Sequence, residues 1–384
     1  MTPAARTQAA IELLDAIIIA AREGGAAADT LIARYFATRR YAGSKDRRAV
    51  RELVYAAIRR LGERPANGRA AMLTLADEDP ILATTFDGSP HGPAPIGDEP
   101  RAAPGLHPAW LEAALAASGL DAVEQAALIE RAPLDVRINR LRADPPALPD
   151  AQPVPGLPDA WRLPAGADVS RWAGVVEVQD AGSQAVTLAA RVEPGMTVLD
   201  LCAGAGGKTL ALAAMMRNEG RIVASDVDRA RLSRLLPRAA QAEVGIVETR
   251  LLDPRREAAA LGDVQADVVL VDAPCSGTGT WRRNPEARWR LDPARLERFA
   301  ATQRDVLTIG AGCVRPGGAL VYIVCSLLDA EGPAQVDAFL TAHPGWRVEM
   351  PALPLGRARG QGMRLTPAHD ATDGFFVARL IAAC

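Results

Sequence analysis

From about Val175 onward the chain alternates short apolar runs with glycine-rich turns and helical segments. The run Val268–Val271 contains no polar residue, and such a strand has to be covered on both faces. Covered strands that alternate with helices are typical of an α/β domain with a mostly parallel sheet. The predicted strands are Thr197–Leu201, Arg221–Ser225, Gly245–Thr249, Asp267–Val271, Ala319–Val324 and a late hairpin-like strand, Gly374–Ile381, that would finish the sheet.

The rest of the 384-residue chain divides into three parts. Residues 1–76 are predicted to be helical, because two sets of apolar residues recur at helical spacing. The sets are Ile11, Leu14, Ile17 and Ile18, and Val50, Leu53, Val54, Ala57 and Ile58. Residues 77–106 are rich in proline, glycine and aspartate and are predicted to be a linker or mobile loop. Residues 107–172 are predicted to be a small intermediate α/β domain, which leaves 173–384 for the sheet domain.

Composition excludes several classes of protein. Hydrophobic residues make up 49% and charged residues 23%, as in soluble globular proteins. No apolar run approaches the roughly 18 residues of a membrane span, and nothing resembles a signal peptide. The five cysteines are widely spaced without a Cys-x-x-Cys pair, which argues against a disulfide framework or a standard zinc site. We therefore expect a cytoplasmic protein with reduced thiols, no metal and no membrane partner.

Two arginine-rich stretches interrupt an otherwise balanced charge. The net charge of −2 does not by itself mark a nucleic-acid binder. Residues 39–60 nevertheless contain eight basic residues, and Trp281–Arg290 interleaves cations with two indoles. Arginine contacts phosphates and stacks on bases, and tryptophan can stack as well, so both stretches are candidate RNA surfaces. For residues 39–60, the alternative interpretation is an arginine-rich face that is simply exposed to solvent.

The glycine-rich turn Leu199–Thr209 directly follows the first strand of the sheet domain. A phosphate-binding P-loop would fit Lys208 and Thr209, but its first glycine would fall at Cys202. A dinucleotide turn would fit two of the glycines, but Thr209 occupies the third glycine position. An acidic residue before the turn, Asp200, suits a third ligand, because it could hold the positively charged methionine end of S-adenosylmethionine.

Two further aspartates follow the next two strands. Asp226 ends the second strand, 26 positions after Asp200, where a carboxylate commonly binds a ribose diol. Asp253 follows the third strand, where it could meet an adenine ring. Aspartate is also common at strand ends and helix caps. The order of all three favours a nucleoside cofactor.

Two cysteines lie at the ends of two other strands. Cys275 belongs to the loop Asp272–Gly279, and Cys325 follows the fifth strand. If those strands are neighbours, about 4.8 Å apart, both sulfurs can reach one small ring. Thiolate addition at carbon-6 of cytosine makes carbon-5 nucleophilic, and a carboxyl group such as Asp272 could support it by hydrogen bonding at ring nitrogen 3. The sequence Asp-Ala-Pro-Cys also differs from the Asn/Asp-Pro-Pro-Tyr/Phe loop of enzymes that methylate amino groups.

Residues from about 132 to 381 resemble the NOL1/NOP2/Sun RNA cytosine-5 methyltransferases. The matching segments are Arg137–Leu141, Val178–Gln184, Leu199–Thr209, Ser225–Asp228, Asp272–Gly279, Arg282–Pro285, Cys325–Ser326 and Asp373–Phe376. The helical N-terminus, with Lys45–Tyr55, is similar to the NusB-like RNA-binding domain of bacterial members that act on small-subunit ribosomal RNA. The sequence departs from the family pattern at Val324, where threonine is usual, and at Ala205, where proline is frequent.

The resemblance implies a class I methyltransferase fold, Rossmann-like with a mostly parallel sheet, joined to an all-helical N-terminal domain and a small intermediate RNA-binding domain. It implies that Cys325 is the nucleophile, that Cys275 assists release of the methylated base, and that Lys208 lies beside the cofactor and the target ring. The implied contacts to S-adenosylmethionine are Cys202, Ala203, Gly204, Ala205, Gly206, Gly207, Lys208, Asp226, Asp253 and Asp272.

We therefore predict a monomeric enzyme that methylates carbon-5 of a cytosine in RNA, through a covalent intermediate on Cys325, with S-adenosyl-L-methionine as the donor. Small-subunit ribosomal RNA is the expected substrate, with transfer RNA as the alternative. A P-loop nucleotide hydrolase and a non-catalytic RNA-binding assembly factor are the alternative functions.

Overall fold

The computed structural model describes residues 1–142, 147–164 and 166–384. It divides into two compact units, one formed by Met1–Arg131 with Thr280–Asp292 and the other by Ala132–Gly279 with Pro293–Cys384. The sequence-based boundaries are different, since they assign residues 107–131 to an intermediate domain and 280–292 to the sheet domain. Residues 143–146 and 165 of the predicted intermediate domain lie outside the described residues.

The first unit is helical. Its helices are α1 (Pro3–Glu23), α2 (Ala28–Ala37), α3 (Ser44–Arg60), α4 (Gly68–Ala76), α5 (Pro80–Ala83), α6 (Ala109–Ala117) and α7 (Ala122–Ala127), with a 3-10 segment at Pro285–Arg290. The apolar stripe of α1 is buried at Leu14 and Ile17, and that of α3 at Val54 and Ile58. The predicted helical N-terminus is confirmed, because both stripes pack into one apolar core.

Residues 77–106 pack onto this helical unit. Leu82 and Phe86 belong to its apolar core. The Thr74 hydroxyl donates a hydrogen bond to the Ala102 carbonyl at 2.7 Å, and the Ala102 amide donates to the Ala70 carbonyl at 3.2 Å. The proline- and glycine-rich composition predicts a linker or mobile loop, but a few apolar side chains and these hydrogen bonds attach the segment at both of its ends.

The second unit begins with a small antiparallel sheet. Its strands are β1 (Leu134–Ile138), β2 (Gln152–Pro153), β3 (Ala160–Leu163) and β4 (Val176–Val178), in the order β2-β3-β1-β4. Val136, Ile138, Leu163 and Val176 form its buried core. Strands β1, β2 and β3 lie within residues 107–172, which were predicted to be a small intermediate domain, and β4 follows that region.

The large sheet has nine strands. They are β5 (Thr197–Asp200), β6 (Arg221–Asp226), β7 (Val247–Leu251), β8 (Ala266–Asp272), β9 (Val314–Val324), β10 (Arg347–Val348), β11 (Arg357–Arg359), β12 (Gly362–Leu365) and β13 (Phe375–Ile381). The helices of this unit are α8 (Ala181–Thr187), α9 (Gly207–Met215), α10 (Arg229–Leu232), α11 (Leu235–Gln241), α12 (Glu257–Ala260), α13 (Pro293–Gly312), α14 (Pro333–Ala342) and α15 (Pro367–Asp370). Each strand predicted for the sheet domain is present.

The strand order is β11-β12-β13-β9-β8-β5-β6-β7, with β10 also paired to β13. Strands β5 to β9 pair in parallel, whereas β13 pairs antiparallel with β9. The prediction that the last strand finishes the sheet is wrong: β13 lies between β9 and β12, because residues 347–365 supply three further strands. Strands β5, β6 and β7 follow one another toward one edge of the sheet, whereas β8 and β9 lie on the other side of β5. In sheets of this kind ligands bind at the point where the strand order reverses.

Both faces of the parallel strands are buried, as the unbroken apolar runs predict. Val198 and Leu270 belong to the apolar cluster on one face, and Leu199 and Val269 to the cluster on the other. Among the described residues, no helix has the length and apolarity needed to cross a bilayer. The same residues contain no group of three or more His, Cys, Asp or Glu side chains arranged to hold a metal ion.

Candidate active site

The glycine-rich turn between β5 and α9 depends on two left-handed glycines. Gly204 has φ +55° and Gly206 has φ +86°, a region that side chains rarely adopt. A Cβ on Gly204 would lie 2.4 Å from the Arg231 guanidinium, and one on Gly206 would lie 2.6 Å from Leu235. The turn therefore needs glycine at both positions for backbone conformation, and at Gly206 also for space, because Leu235 is packed in the core whereas the Arg231 guanidinium is the end of a flexible side chain.

The carboxylate of Asp226 holds this turn against the end of β6. It accepts hydrogen bonds from the Gly204 amide at 2.8 Å and from the Asp228 amide at 2.7 Å. Asp226 is largely buried but still lines a cavity at the carboxyl ends of the strands. The backbone amides of Gly204 and Asp228 therefore orient Asp226, the residue predicted to bind a ribose.

The cavity has a volume of about 390 Å³, within the roughly 300–1,000 Å³ usual for a small-molecule site. Five of the residues predicted from the sequence line it: Cys202, Asp226, Asp272, Cys275 and Cys325. They come from the ends of β5, β6, β8 and β9, so the structure brings together residues that are spread over 124 positions of sequence.

The other predicted cofactor contacts occupy different places. The turn residues that line the cavity are Leu201 and Cys202. The predicted contacts that do not line it, although they belong to the turn or begin α9, are Ala203, Gly204, Ala205, Gly206 and Gly207. Asp253 is exposed in the turn after β7, next to the lining residue Leu252. The assignment of Asp253 to the cofactor stays a prediction.

Asp200 is buried and faces α9, away from the residues that line the cavity. One of its oxygens accepts a hydrogen bond from the Thr209 hydroxyl at 2.7 Å, and the other has no partner among the described residues. Burial raises the pKa of Asp200 to about 7, and the charges of Asp272 and Asp226 add to the effect, while the Thr209 hydrogen bond opposes it. The structure therefore does not show the direct cofactor position expected for this residue.

Lys208 and Asp272 form an ion pair at the cavity, with Nζ 2.7 Å from Oδ2. The ammonium also lies 5.5 Å from the centre of the Phe375 ring, over its face. Burial opposes the charge of Lys208, but the Asp272 charge and hydrogen bond outweigh it and raise the pKa of the lysine. A fixed cation and a partly exposed carboxylate thus lie side by side, and the position of Lys208 beside the cofactor and the target ring stays a prediction.

The sulfurs of Cys275 and Cys325 are 3.3 Å apart. Strands β8 and β9 are neighbours, with Asp272 opposite Ile323, so the two loops leave the sheet side by side. The hydrogen bond to Cys325 raises the pKa of Cys275 well above its ordinary value, and burial adds to this effect. The expectation that both thiols reach one small site is confirmed.

Several lining residues were not predicted from the sequence. Val306 and Ile309 on α13 form an apolar wall, and Arg231 and Glu257 add charge. The apolar spacing of α13 predicts only a packed helix, and single charged residues on α10 and α12 have no distinctive pattern. These contributions depend on which helices cover the sheet edge.

The tryptophans of the stretch Trp281–Arg290 are not available for base stacking. Trp281 is fully buried and its ring lies 4.9 Å from that of His107. Trp289 is buried in the helical core, and its indole N–H donates to the Gly62 carbonyl at 3.1 Å. The prediction of an RNA surface here is wrong for both indoles.

Two arginines of the same stretch, Arg288 and Arg290, donate hydrogen bonds to backbone carbonyls near the ends of helices. Arg288 is fully buried and donates to the carbonyls of Ile58 and Leu61, at 2.6 and 2.7 Å, at the end of α3. Arg290 donates to the carbonyls of Gly25 and Ala26, just after α1, at 2.7 Å each. The last carbonyls of a helix have no partner within it, so Arg288 supplies donors at the end of α3, whereas Arg290 binds carbonyls of the loop that follows α1.

Comparison with known proteins agrees with this architecture. The sequence model of a family described as 16S rRNA methyltransferase RsmB/F matches residues 186–381, about half of the chain. The chain is 33% identical over 301 residues to the ribosomal RNA small subunit methyltransferase B of Sodalis glossinidius, covering 72% of this chain and 66% of that protein. It spans about half to two thirds of the length of the curated relatives that it matches.

Two solved structures share the fold. The crystal structure of PH0851 has a TM-score of 0.76 at 23% identity and covers 99% of both chains. The structure of NSun6 from Pyrococcus horikoshii with SFG has a TM-score of 0.61 at 19% identity, covering 67% of this chain and 93% of that one. The class I methyltransferase fold, and S-adenosyl-L-methionine as the cofactor that goes with it, are confirmed. The resemblance to the NOL1/NOP2/Sun methyltransferases is confirmed as well, and the chain belongs to the 16S rRNA methyltransferase RsmB/F family.

Proposed function

We propose that the chain transfers a methyl group from S-adenosylmethionine to carbon-5 of a cytosine in RNA, through a covalent bond between Cys325 and carbon-6. The observation that carries the proposal is the pair of sulfurs, 3.3 Å apart, at a cavity that is also lined by Asp272, the partner of Lys208. Transfer to an oxygen or an amino group needs no thiol, whereas carbon-5 of cytosine needs a nucleophile at carbon-6.

The cavity suits a nucleoside sulfonium. Asp226 would hold the ribose hydroxyls, and the wall formed by Val306 and Ile309 would cover the adenine. The carboxylates of Asp226, Glu257 and Asp272 line the cavity and would repel a triphosphate, which argues against a P-loop nucleotide hydrolase. When bound, S-adenosylmethionine supplies an electrophilic methyl group on a positively charged sulfur.

The reaction begins at Cys325. Its thiolate attacks carbon-6 and forms the carbon–sulfur bond, while the electron pair of the 5,6 double bond shifts through the ring toward nitrogen 3. Hydrogen bonding from the Lys208–Asp272 pair would stabilise charge on the ring, a role for which the pair is already oriented at 2.7 Å. Carbon-5 would then take the methyl group as the bond between the methyl carbon and the sulfonium sulfur breaks, and the electron pair of that bond would stay on the sulfur, which leaves as a neutral thioether.

Release follows by elimination. The proton on carbon-5 passes to a base, the carbon–sulfur bond breaks, and its electron pair returns to the Cys325 sulfur. The Cys275 thiol is 3.3 Å from that sulfur and can donate a hydrogen bond to it as it regains negative charge. This distance supports a role for Cys275 in the step that frees the methylated base.

Covalent trapping tests the two roles. Cys325→Ala should give neither product nor an RNA adduct that survives denaturing electrophoresis, whereas Cys275→Ala should accumulate the adduct. The double variant should form none, and Cys384→Ala, which changes an exposed thiol, is the matched control. An adduct that depends on Cys275 and persists in Cys325→Ala would reverse the assignment. Absence of methyl transfer by the unaltered protein on every RNA tested would favour an assembly factor.

Small-subunit ribosomal RNA is the proposed substrate. The relatives are named as methyltransferases of that RNA, and 72% of this chain is matched by one of them. Tritium transfer to small-subunit ribosomal RNA and to transfer RNA, followed by bisulfite sequencing, compares the two substrates and locates the cytosine. Product on transfer RNA alone would contradict the choice.

The helical unit is proposed to bind RNA, as the similarity to a NusB-like domain implies. Arg40, Lys45 and Arg48 are exposed, and Tyr41 is 74% exposed, so phosphate contacts and base stacking are both available. The triple substitution of these cations by alanine should lower the slope of log affinity against log salt by about 2–3. Arg51→Ala, which removes a cation already paired with Asp29, is the control. Equal slopes would contradict this proposal.

A further inference from the structure

A buried carboxylate lies behind the two cysteine loops. Glu331 follows β9 and is 1% exposed. One of its oxygens accepts the Ser276 amide at 2.8 Å and the Gln303 amide group at 3.0 Å. The other accepts the hydroxyls of Ser276 and Ser326. Four donors use all the acceptor positions of a carboxylate, so this arrangement fits the ionised form.

The two serines are the immediate neighbours of the two cysteines. Ser276 follows Cys275, Ser326 follows Cys325, and the two hydroxyl oxygens are 3.1 Å apart. Glu331 therefore joins the loop after β8 to the loop after β9 at the positions next to the reacting sulfurs. Such second-layer contacts fix the geometry of a site that its own residues leave free to rotate.

The carboxylate is itself held from two sides. The Tyr322 hydroxyl, on β9, donates to the backbone carbonyl of Glu331 at 2.6 Å. Gln303, on α13, donates to Glu331 and also to the Pro274 carbonyl at 3.0 Å. The sheet, the helix that covers it and both cysteine loops thus meet at one side chain.

The charges around the two sulfurs are arranged unequally. The neighbouring Cys325 raises the pKa of Cys275, and the negative charge of Glu331 raises it further. The charge of Cys275 in turn contributes to the raised pKa of Tyr322. The charge of Lys208, paired with Asp272, interacts with Cys325. A negative group therefore influences the first sulfur and a positive group the second.

We propose that Glu331 is a positioning residue that locks the two cysteine loops together and whose negative charge holds Cys275 as the S–H donor beside the Cys325 sulfur. The raised pKa of Cys275, caused first by the hydrogen bond to Cys325, then by burial, and in part by Glu331, agrees with the geometry. Cys275 then stays an S–H donor toward the Cys325 sulfur, both before attack and during release. The part that Cys275 takes in methylation rests on the proposed function.

Thiol alkylation tests the charge effect without RNA or cofactor. In a Cys325→Ala background, the iodoacetamide reaction of Cys275 is followed by peptide mass spectrometry between pH 6 and 10, with and without Glu331→Gln. The substitution keeps size but removes the charge, so Cys275 should react about tenfold faster at a given pH below its midpoint. Glu331→Asp, which keeps the charge, should restore the slow reaction. Equal profiles for all three, or equal shifts for Gln and Asp, would overturn the proposal.

The protein with all its cysteines provides a second test that needs no variant at Glu331. Cys275 should be alkylated only slowly near neutral pH, and fast alkylation of Cys275 there would overturn the proposal even if Glu331→Gln does not fold. In single-turnover assays, Glu331→Gln should slow adduct formation on Cys325, while Glu331→Asp retains more of it. Because alkylation is measured without substrate, its outcome is independent of whether the RNA reaction is the one proposed.

Discussion

Segments 272–279 and 280–292 are consecutive in sequence but end in different environments. The first carries Asp272 and Cys275 to a cavity at the sheet edge. The second places Arg288 and Trp289 inside the core of the helical unit. Both contain residue types associated with function, and both match the family pattern. In the first they remain accessible to a ligand, and in the second they satisfy backbone carbonyls.

The difference shows that the chemical character of a motif does not determine its role. A cation at the start of α9, Lys208, can act on a ligand because it is paired with Asp272, which lines the cavity. A cation with the same charge, Arg288, has its donors used by helix ends and can act only on stability.

Lys208→Met should reduce single-turnover methyl transfer by roughly a hundredfold or more, because it removes the cation beside Asp272 at the site. The melting temperature of Lys208→Met should stay close to that of the unaltered protein. Arg51→Met, at an exposed arginine of α3 that is already paired with Asp29, is the control. A variant with nearly unaltered rate would mean that Lys208 is structural, like Arg288.

Arg288→Met should lower the free energy of unfolding by about 3 kcal/mol, because the carbonyls of Ile58 and Leu61 lose their donors inside the core. Urea unfolding followed by tryptophan fluorescence measures this effect. Arg48→Met, at an exposed position, should change stability by no more than about 0.5 kcal/mol. Equal stability of the two variants would remove the structural role assigned to Arg288.

Asp226→Ala should weaken binding of S-adenosylmethionine by about 1.5–3 kcal/mol, the usual loss for a hydrogen bond to a charged group. The substitution also frees the Gly204 amide, so Asp226→Asn, which keeps an acceptor oxygen, should lose less. Calorimetry on both variants measures the difference, with exposed Asp263→Ala as the control. Unchanged affinity would exclude Asp226 from the cofactor site.

Asp200→Asn should change how stability depends on pH. The pKa of Asp200 is about 7 in the folded protein and about 4 in an unfolded chain. Between these values the folded state holds a proton that the unfolded state has lost, so this residue makes stability fall as pH rises from 4 to 7. The asparagine variant lacks that contribution, and urea unfolding between pH 5 and 8 should show a smaller fall. Parallel profiles would contradict the raised pKa.

Much of the sheet domain could be predicted because its signals are local. Apolar runs located the strands from β5 to β9, and the aspartates and cysteines at their ends could be assigned to one edge because parallel strands share their direction. The position of β13 could not be predicted this way. Its neighbours depend on pairing with β9 and with β12, which the alternation of β13 itself does not specify.

Glu331 and Arg288 illustrate the opposite case. Glu331 is an isolated acidic residue in sequence, and only the fold brings it to Ser276, 55 positions away. Arg288 lies in a motif that predicts an RNA surface, but its partners are 227 and 230 positions away. The sequence by itself determined the strands, the glycine turn and the residues that could react. The tertiary structure decided which of those residues are accessible and which are buried, because burial is set by contacts between distant segments rather than by local pattern.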